Sequence, residues 1–177
     1  MITAAVDGSS LSNPGPAGWA WYVDRNHWAS GGWRRATNNR GELMALLALL
    51  RATAAAGMAD EPLSVLADSQ YVINSVTSWM PGWKRRGWRK ADGKPVLNAD
   101  MMAALDDALR ARQVRFTWVK GHAGHQMNEA VDELAHDAAL AYQAGELPPG
   151  GPGFGGFTGG VPPMSAAESK PEQNLLF

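Results

Sequence analysis

The order of apolar patterns along the first 143 residues constrains the fold more than any other feature of this sequence. Three β-rich segments come first, separated by turn-forming residues, which predicts an antiparallel meander. Strand-like and helical segments then alternate, a pattern typical of a sheet flanked by helices. The predicted strands are 2–7, 19–24, 27–33, 63–67 and 114–119, and the predicted helices are 42–56, one from residue 69, 98–112 and 128–142. The sequence therefore predicts an α/β domain with a mixed five-stranded sheet, three antiparallel strands and then parallel ones, flanked by helices.

The last 34 residues, 144–177, differ in composition from the rest of the chain. They contain 8 Gly and 6 Pro and present no periodic apolar face. Such a segment cannot bury enough apolar surface to offset the entropy lost on ordering. We therefore expect a single domain at 1–143 followed by a disordered tail at 144–177.

Composition excludes several classes of chemistry. The chain has no cysteine, so disulfides and thiolate chemistry are excluded and any metal must be held by oxygen or imidazole ligands. No apolar run approaches the roughly 18 residues of a membrane span, and the N-terminus does not resemble a signal peptide. We expect a cytoplasmic protein with no membrane partner. The net charge of −1 does not by itself show whether the chain has a nucleic-acid partner, so the positions of the charges matter more than their sum.

Four acidic residues stand where chemistry would be expected. Asp7 and Asp68 lie at the carboxyl ends of predicted strands, the edge of an α/β sheet where ligands usually bind. Glu42 opens the first predicted helix, and Asp132 lies in the first turns of the last one, beside an apolar stripe. If these like charges converge, they need a counter-ion, and Mg²⁺ prefers a few carboxylates together with water and phosphate oxygens. Phosphodiester hydrolysis is the reaction that such a site suits.

Each acid also has a structural alternative. Asp68 before Ser69 resembles a helix N-cap, Glu42 three residues after Asn39 fits a capping box, and Asp7 before a glycine could belong to a turn. Asp132 is harder to explain in this way, because an unpaired charge beside an apolar stripe is costly. The residues alone leave both alternatives open.

Five longer strings contain these residues. They are VDGSSLSNPGPAGW, TNNRGELMA, LADSQYVI, WKRRGWRKADGKPV and VKGHAGHQMNEAVDELA. In order and spacing they resemble the motifs of the type-I, prokaryotic ribonuclease H family over about residues 1–143. The resemblance implies a ribonuclease H-like fold and an endonuclease that cuts the RNA strand of RNA/DNA hybrids, leaving a 5′ phosphate and a 3′ hydroxyl. It also implies roles in removing primers and R-loops.

The resemblance further implies a role for particular residues. The four acids, Asp7, Glu42, Asp68 and Asp132, match positions that bind two Mg²⁺ ions, with Mn²⁺ as a possible substitute. His122, the first histidine of GHAGH, matches a loop histidine that assists proton transfer or product release; as a lone residue it would be a solvated side chain. His125, with Asn128, is expected to be structural. The expected contacts to the hybrid are Asn13, Thr37, Asn38, Asn39 and Gln70, small donors and acceptors that can reach the 2′-hydroxyls of a shallow minor groove.

A basic, aromatic stretch at 83–94 is the other candidate for nucleic-acid contact. It contains Trp83, Lys84, Arg85, Arg86, Trp88, Arg89, Lys90 and Lys94 against one acid, Asp92. Such a cluster neutralises phosphates and makes affinity fall with salt, while the tryptophans pack the segment or face a sugar. The alternative is a solvated helix face. The resemblance implies a protrusion that grips the DNA strand.

The tail ends in the apolar string QNLLF, and exposed apolar groups usually have a partner. It resembles the short clamp-binding peptide of bacterial replication proteins, in which Gln173, Leu175, Leu176 and Phe177 would be the anchors. The alternatives are packing on the chain's own domain and no role. No long apolar face is left over, so we expect a monomer.

Three other functions compete with this interpretation. A related nuclease, such as a junction resolvase or a transposase-like domain, would keep the acids and change the substrate. A binding module would recognise hybrids without cutting them, and a purely structural domain would use the acids only as caps. The basic stretch and the complete set of acids favour the nuclease that cuts hybrids.

Overall fold

A computed structural model of the chain describes residues 1–121 and 124–154. Its strands are β1 (Ile2–Ser10), β2 (Gly15–Asp24), β3 (His27–Ala36), β4 (Leu63–Ala67) and β5 (Val114–Trp118). They form one sheet in the order β3-β2-β1-β4-β5. The pairs β1–β2 and β2–β3 are antiparallel, whereas β4 is parallel to both β1 and β5. The predicted α/β domain with a mixed five-stranded sheet is confirmed.

The helical elements follow the predicted order. They are α1 (Asn38–Ala55), α2 (Gln70–Asn74), a π-helix (Ser75–Trp79), α3 (Met80–Arg85), α4 (Ala99–Leu109) and α5 (Gln126–Gln143). In the described ranges, no helix is long and apolar enough to cross a membrane.

Different helices cover the two faces of the sheet. Ala4 and Val6 of β1 belong to a large core that includes α1 and α4, whereas Ala5 belongs to a smaller core built with α5. Successive side chains of a strand point to opposite faces. Helices α1 and α5 therefore approach the central strand from opposite sides.

Helix α1 begins earlier than its leucine pattern predicts. Thr37 caps the helix, because its hydroxyl oxygen accepts a hydrogen bond from the Arg40 backbone N–H at 3.2 Å. A cap of this kind satisfies a backbone donor that has no partner within the helix. Every residue from Arg40 to Leu50 is buried, so α1 is a central helix enclosed on nearly all sides. Glu42 consequently lies one turn inside a buried helix.

The helix expected from Ser69 is three consecutive pieces. Ser69 is the N-cap of α2, and its hydroxyl accepts from the Val72 N–H at 3.2 Å. The chain then widens into the π-helix before α3 begins. Single turns of π-helix are rare, and they are often found at functional sites. The last residue of this one, Trp79, is 43% exposed.

The chain after α5 corrects the expectation that a disordered tail starts at residue 144. The Ser30 N–H of β3 donates to the Gly150 carbonyl at 3.2 Å, and its hydroxyl donates to the Pro149 carbonyl at 2.9 Å. Phe154 is buried, and its ring stacks on Trp21 with the centroids 4.9 Å apart. Long-range packing of this kind leaves no periodic signal in a Gly/Pro-rich sequence. The packed unit extends to Phe154, and the rest of the expected tail, 155–177, lies outside the described residues.

Candidate active site

Two of the four predicted acids meet at one edge of the sheet. Asp7 lies in β1 opposite Ala20 of β2, and Asp68 directly follows the last residue of β4. Because β1 and β4 are parallel neighbours, with Val6 paired to Ala67, the residues that come next lie side by side. This is the carboxyl edge of the two parallel strands, where ligands of α/β sheets usually bind.

Glycines bring the third acid, Glu42, against this edge. A Cβ added at Gly8 would overlap the backbone nitrogen of Glu42, and one added at Gly41 would lie 2.9 Å from the Gly18 carbonyl oxygen. The first turn of α1 therefore touches the backbones of β1 and β2, which no larger residue at these positions permits. The glycines after Asp7 and before Glu42 set the distance between the two carboxylates.

The carboxylates converge into one cluster. One ligand oxygen each from Asp7, Glu42 and Asp68 lies within 4.8 Å of the others. Asp132, in the second turn of α5, is half-buried and close enough to share a hydrogen bond with Asp7. The structure therefore brings all four predicted acids together, three as a tight group and Asp132 beside them.

Burial and like charge both act on the two innermost acids. Burial raises the pKa of Asp7 far above its usual range, and the charges of Glu42 and Asp68 raise it further. Burial also raises the pKa of Glu42, and the charge of Asp68 adds to the shift. Ionising the cluster is therefore costly unless a cation enters it.

The donor set fits a divalent cation. The buried oxygens Asp7 Oδ2 and Glu42 Oε2 have no hydrogen-bond partner within residues 1–121 and 124–154. Such atoms are rare in folded proteins, and each needs a partner that supplies positive charge or a proton. Carboxylate oxygens are the ligands that Mg²⁺ and Mn²⁺ prefer.

The structural alternatives for three of the acids do not hold. Ser69, not Asp68, caps α2, and Thr37 caps α1, so Glu42 belongs to no capping box with Asn39. Asp7 lies within a strand and not in a turn, although its Oδ1 accepts from the Gly8 N–H at 2.9 Å.

Of the predicted residues in and after the GHAGH string, the structure describes His125 and Asn128. His122 lies outside the described residues. Its neighbour Gly121 is close to the site, since a Cβ added there would lie 3.6 Å from Asp68 Oδ2. His125 is the N-cap residue of α5 but makes no side-chain cap hydrogen bond, whereas Asn128 is buried. The burial of Asn128 supports the structural role expected for it. No capping bond supports the same role for the His125 side chain.

The expected hybrid contacts occupy two neighbouring helix starts. Asn13 and Asn38 are exposed and joined, because Asn13 Oδ1 accepts from the Asn38 N–H at 3.1 Å. Asn39 and Gln70 are also exposed, in the first turns of α1 and α2. The Thr37 hydroxyl is already engaged as the N-cap of α1, where it accepts from the Arg40 N–H. Capping by Thr37 leaves the side chains of Asn38 and Asn39 free of a capping role, so they remain candidates for nucleic-acid contact.

The basic stretch is a helix end followed by an ordered loop. After α3, Gly87 and Trp88 have positive φ, and the Lys90 N–H donates to the Lys94 carbonyl at 2.8 Å. This differs from the solvated helix face considered above. Trp83 is buried in the core and Trp88 is half-buried. Trp83 therefore packs the segment against the core. Of the two roles expected for the tryptophans, packing and contact with a sugar, Trp83 has the first.

The charges of this stretch are not equivalent. Lys84 pairs with Asp106 of α4 at 2.9 Å. Arg86 Nε donates to the Arg89 carbonyl at 3.1 Å, and Arg89 donates to the Gly93 carbonyl at 3.0 Å. These arginines brace the loop with part of each guanidinium. The exposed remainder of each guanidinium adds positive charge to the surface of this stretch.

Sequence analysis missed two aromatic groups near the site. The Tyr71 ring meets Trp79 edge-on at 6.4 Å, and Trp79 lies 5.7 Å from Trp83. Trp118 is 48% exposed and donates from its indole to the Asp68 carbonyl. The sequence signal that could have pointed to these groups is the presence of large aromatic residues next to the acidic motifs. Their contacts depend on the π-helix and on strand pairing.

The fold and the site together define an α/β domain with a candidate divalent-cation centre at the carboxyl edge of its parallel strands. The RNase H family model matches residues 1–140. A ribonuclease H of Tropheryma whipplei (strain Twist) is 53% identical over 153 residues, which cover 86% of this chain and 93% of the relative. The chain belongs to the type-I, prokaryotic RNase H family.

Solved structures agree with this assignment. LC9-RNase H1, a type 1 RNase H with the type 2 active-site motif, is 28% identical with a TM-score of 0.65, over 83% of this chain and 77% of that one. LC11-RNase H1, solved in complex with an RNA/DNA hybrid, has the same fold at 22% identity and a TM-score of 0.59. That match covers 79% of this chain and 97% of the other.

Proposed function

We propose that this chain is a divalent-metal-dependent endonuclease that hydrolyses the RNA strand of RNA/DNA hybrids. The convergence of Asp7, Glu42 and Asp68 within 4.8 Å, in a chain of the RNase H family, carries the proposal. A cluster of acids that is costly to ionise alone suits a reaction in which cations and phosphate oxygens meet. The cellular roles that follow are removal of RNA primers and R-loops in the cytoplasm, where hybrids form.

The proposed cofactor is a pair of Mg²⁺ ions, with Mn²⁺ as a substitute. Asp7, Glu42, Asp68 and Asp132 would hold them. Such a pair of ions would supply Lewis acidity to the attacking water and to the leaving 3′ oxygen. The chain supplies the fixed carboxylates, and the buried position of Asp7 and Glu42 keeps bulk water from competing for them. The products would carry a 5′ phosphate and a 3′ hydroxyl.

The proposed hybrid interface has two parts. Exposed amides of Asn38, Asn39 and Gln70 lie in the first turns of α1 and α2, and Asn13 is hydrogen-bonded to the start of α1 from the β1–β2 connection. These amides would recognise the minor groove. The protrusion with Arg85, Arg86 and Arg89 would bind the phosphates of the DNA strand. His122, the residue after Gly121 in the sequence, would assist proton transfer or product release.

The experiment that tests this function uses four substrates of one sequence, each labelled on one strand. They are the hybrid labelled on RNA, the hybrid labelled on DNA, duplex RNA and duplex DNA. We expect cuts only in the RNA strand of the hybrid, with Mg²⁺ and not with chelator. Cleavage of duplex DNA would favour the related nucleases instead. Binding without any cleavage would favour the recognition module.

We also propose that the catalytic unit is a monomer with a C-terminal partner motif. The support for the motif is the apolar string QNLLF itself, with Gln173, Leu175, Leu176 and Phe177 as anchors for the replication sliding clamp. A chain that lacks Leu176 and Phe177 should lose clamp binding in a pull-down and keep its cleavage rate. Retained clamp binding by this shortened chain would refute the motif. Sedimentation velocity tests the oligomeric state, and a species larger than the monomer would refute the proposed monomer.

A further inference from the structure

A tryptophan at the end of the edge strand contacts the backbone of one proposed metal ligand. Trp118 is the last residue of β5 and is 48% exposed. Its indole Nε1 donates a hydrogen bond to the backbone carbonyl oxygen of Asp68 at 3.1 Å. Half of so large an apolar surface remains in water, so burial alone does not explain a tryptophan at this position.

The peptide that Trp118 contacts lies where regular structure changes. The backbone pairing of β4 with β5 ends with the hydrogen bond from the Val119 N–H to the Ala67 carbonyl, at 2.9 Å. Ser69, the residue after Asp68, already caps α2. Asp68 is a bend between these two elements, so neither a strand ladder nor a helix sets its backbone angles.

The segment that leaves β5 borders Asp68 from the side of β4 opposite β1. In the sheet order, β1 with Asp7 lies on one side of β4, and β5 lies on the other. A Cβ at Gly121 would lie 3.6 Å from Asp68 Oδ2. The backbone carbonyl of Asp68 is thus held from β5, while its carboxylate faces the cluster with Asp7 and Glu42.

We propose that Trp118 is a positioning residue of the metal centre. Its indole N–H fixes the Asp68 peptide and thereby the direction of the Asp68 carboxylate toward Asp7 and Glu42. This inference rests on the proposed binding of a divalent cation by these acids. The N–H group, and not the ring surface, is the part of Trp118 that acts.

The test is isothermal titration of the full chain with Mg²⁺, for the wild type, Trp118→Phe and Trp118→Leu. Loss of one hydrogen bond that orients a ligand should weaken Mg²⁺ binding roughly three- to tenfold. Both variants lack the donor, so both should lose the same amount. In cleavage assays kcat at fixed Mg²⁺ should fall, and KM for the hybrid should stay near the wild-type value. Trp28→Phe, on the opposite edge strand β3, is the matched control and should bind Mg²⁺ like the wild type.

The outcomes separate this inference from the proposed function. Equal weakening in both Trp118 variants, with unchanged Trp28→Phe, supports the positioning role. Wild-type affinity in Trp118→Phe overturns it, whether or not the leucine variant is weakened, because a retained ring would then suffice. A wild type that binds no Mg²⁺ overturns the proposed metal centre and the positioning role with it. Circular dichroism of each variant checks that the fold is retained.

Discussion

Asp7 shows how one side chain can cost stability and enable function. It is buried in β1, its Oδ2 has no hydrogen-bond partner in the described ranges, and its neighbours Glu42 and Asp68 carry the same charge. A structural role alone would favour an asparagine at this position. Residues kept against a cost in stability are typical of functional sites.

The pKa shift of Asp7 gives the pH dependence its sign. Its pKa in the folded, metal-free protein is raised above the unfolded value, so the folded state binds more protons between the two. The free energy of unfolding should therefore fall as pH rises from about 4, near the reference pKa of Asp. In chelator at pH 8, Asp7→Asn should be more stable than the wild type by roughly 1–3 kcal/mol. The two should be nearly equal at pH 4.

Urea unfolding at pH 4 and pH 8 measures this difference, with Asp137→Asn as the control. Asp137 is an exposed acid of α5, and its variant should follow the wild type at both pH values. A less stable Asp7→Asn at pH 8 would contradict the account of a strained cluster. Added Mg²⁺ should stabilise the wild type and not the Asp7 variant.

At the scale of elements, the site depends on how closely α1 approaches the sheet. The sequence predicted the order of strands and helices because each element carries its own periodicity. It placed Asp7 and Asp68 at the carboxyl ends of predicted strands, where they could converge, but the residues alone left helix capping and turns as alternatives, and β1 continues past Asp7 to Ser10. It did not predict the start of α1 at Asn38, which depends on a cap, or the π-helix, which depends on packing. The Trp118 contact also needs the register of β4 with β5, which no local pattern encodes.

Gly8→Ala tests the close approach of α1. The new methyl group would overlap the backbone of Gly41 and Glu42, so α1 must move away from β1. We expect the free energy of unfolding to fall by about 1–3 kcal/mol, the usual cost of overpacking. Mg²⁺ affinity and cleavage should fall with it. Gly82→Ala in α3 is the control, since its Cβ would meet only the end of Arg86, at 3.4 Å. A Gly8 variant as active and as stable as Gly82→Ala would refute the constraint.

Phe154→Ala tests the packing of the chain after α5. Phe154 is 4% exposed and stacks on Trp21. A buried Phe→Ala change costs about 3–5 kcal/mol, and a terminal segment can detach, so we expect about 3 kcal/mol or less. Cleavage well below the melting temperature should not change, because the site lies on other elements. Leu147→Ala, at a 54% exposed residue, is the control. Thermal unfolding equal to that control would show that residues 148–154 add no stability.

At the scale of the whole molecule, the distribution of charge matters more than its sum. The chain has a net charge of −1, yet the basic part of its proposed nucleic-acid surface lies in one stretch, residues 83–94. The sequence located this basic stretch. It could not tell which cations were already engaged, since the Lys84–Asp106 pair joins residues distant in the sequence. It also could not show that Trp83 is buried.

The salt dependence of hybrid binding measures this surface. Each phosphate neutralised by a cation adds about 0.9 to the slope of log K against log salt for duplex DNA. Replacing Arg85, Arg86 and Arg89 together by Ala should weaken binding and reduce the slope by roughly one to three. Arg110→Ala is the control, because Arg110 already pairs with Asp107 at 2.8 Å. An unchanged slope in the triple variant would exclude the protrusion from the interface.

The most direct test of the central claim is cleavage of a strand-labelled RNA/DNA hybrid by the wild type, Asp68→Asn and Asp137→Asn, with Mg²⁺. Both variants remove one negative charge, but only Asp68 belongs to the cluster with Asp7 and Glu42. We predict cuts confined to the RNA strand for the wild type and Asp137→Asn. For Asp68→Asn we predict a loss on the order of 100-fold or more with hybrid binding retained. Wild-type cleavage by Asp68→Asn would contradict the assignment of this cluster as the active site.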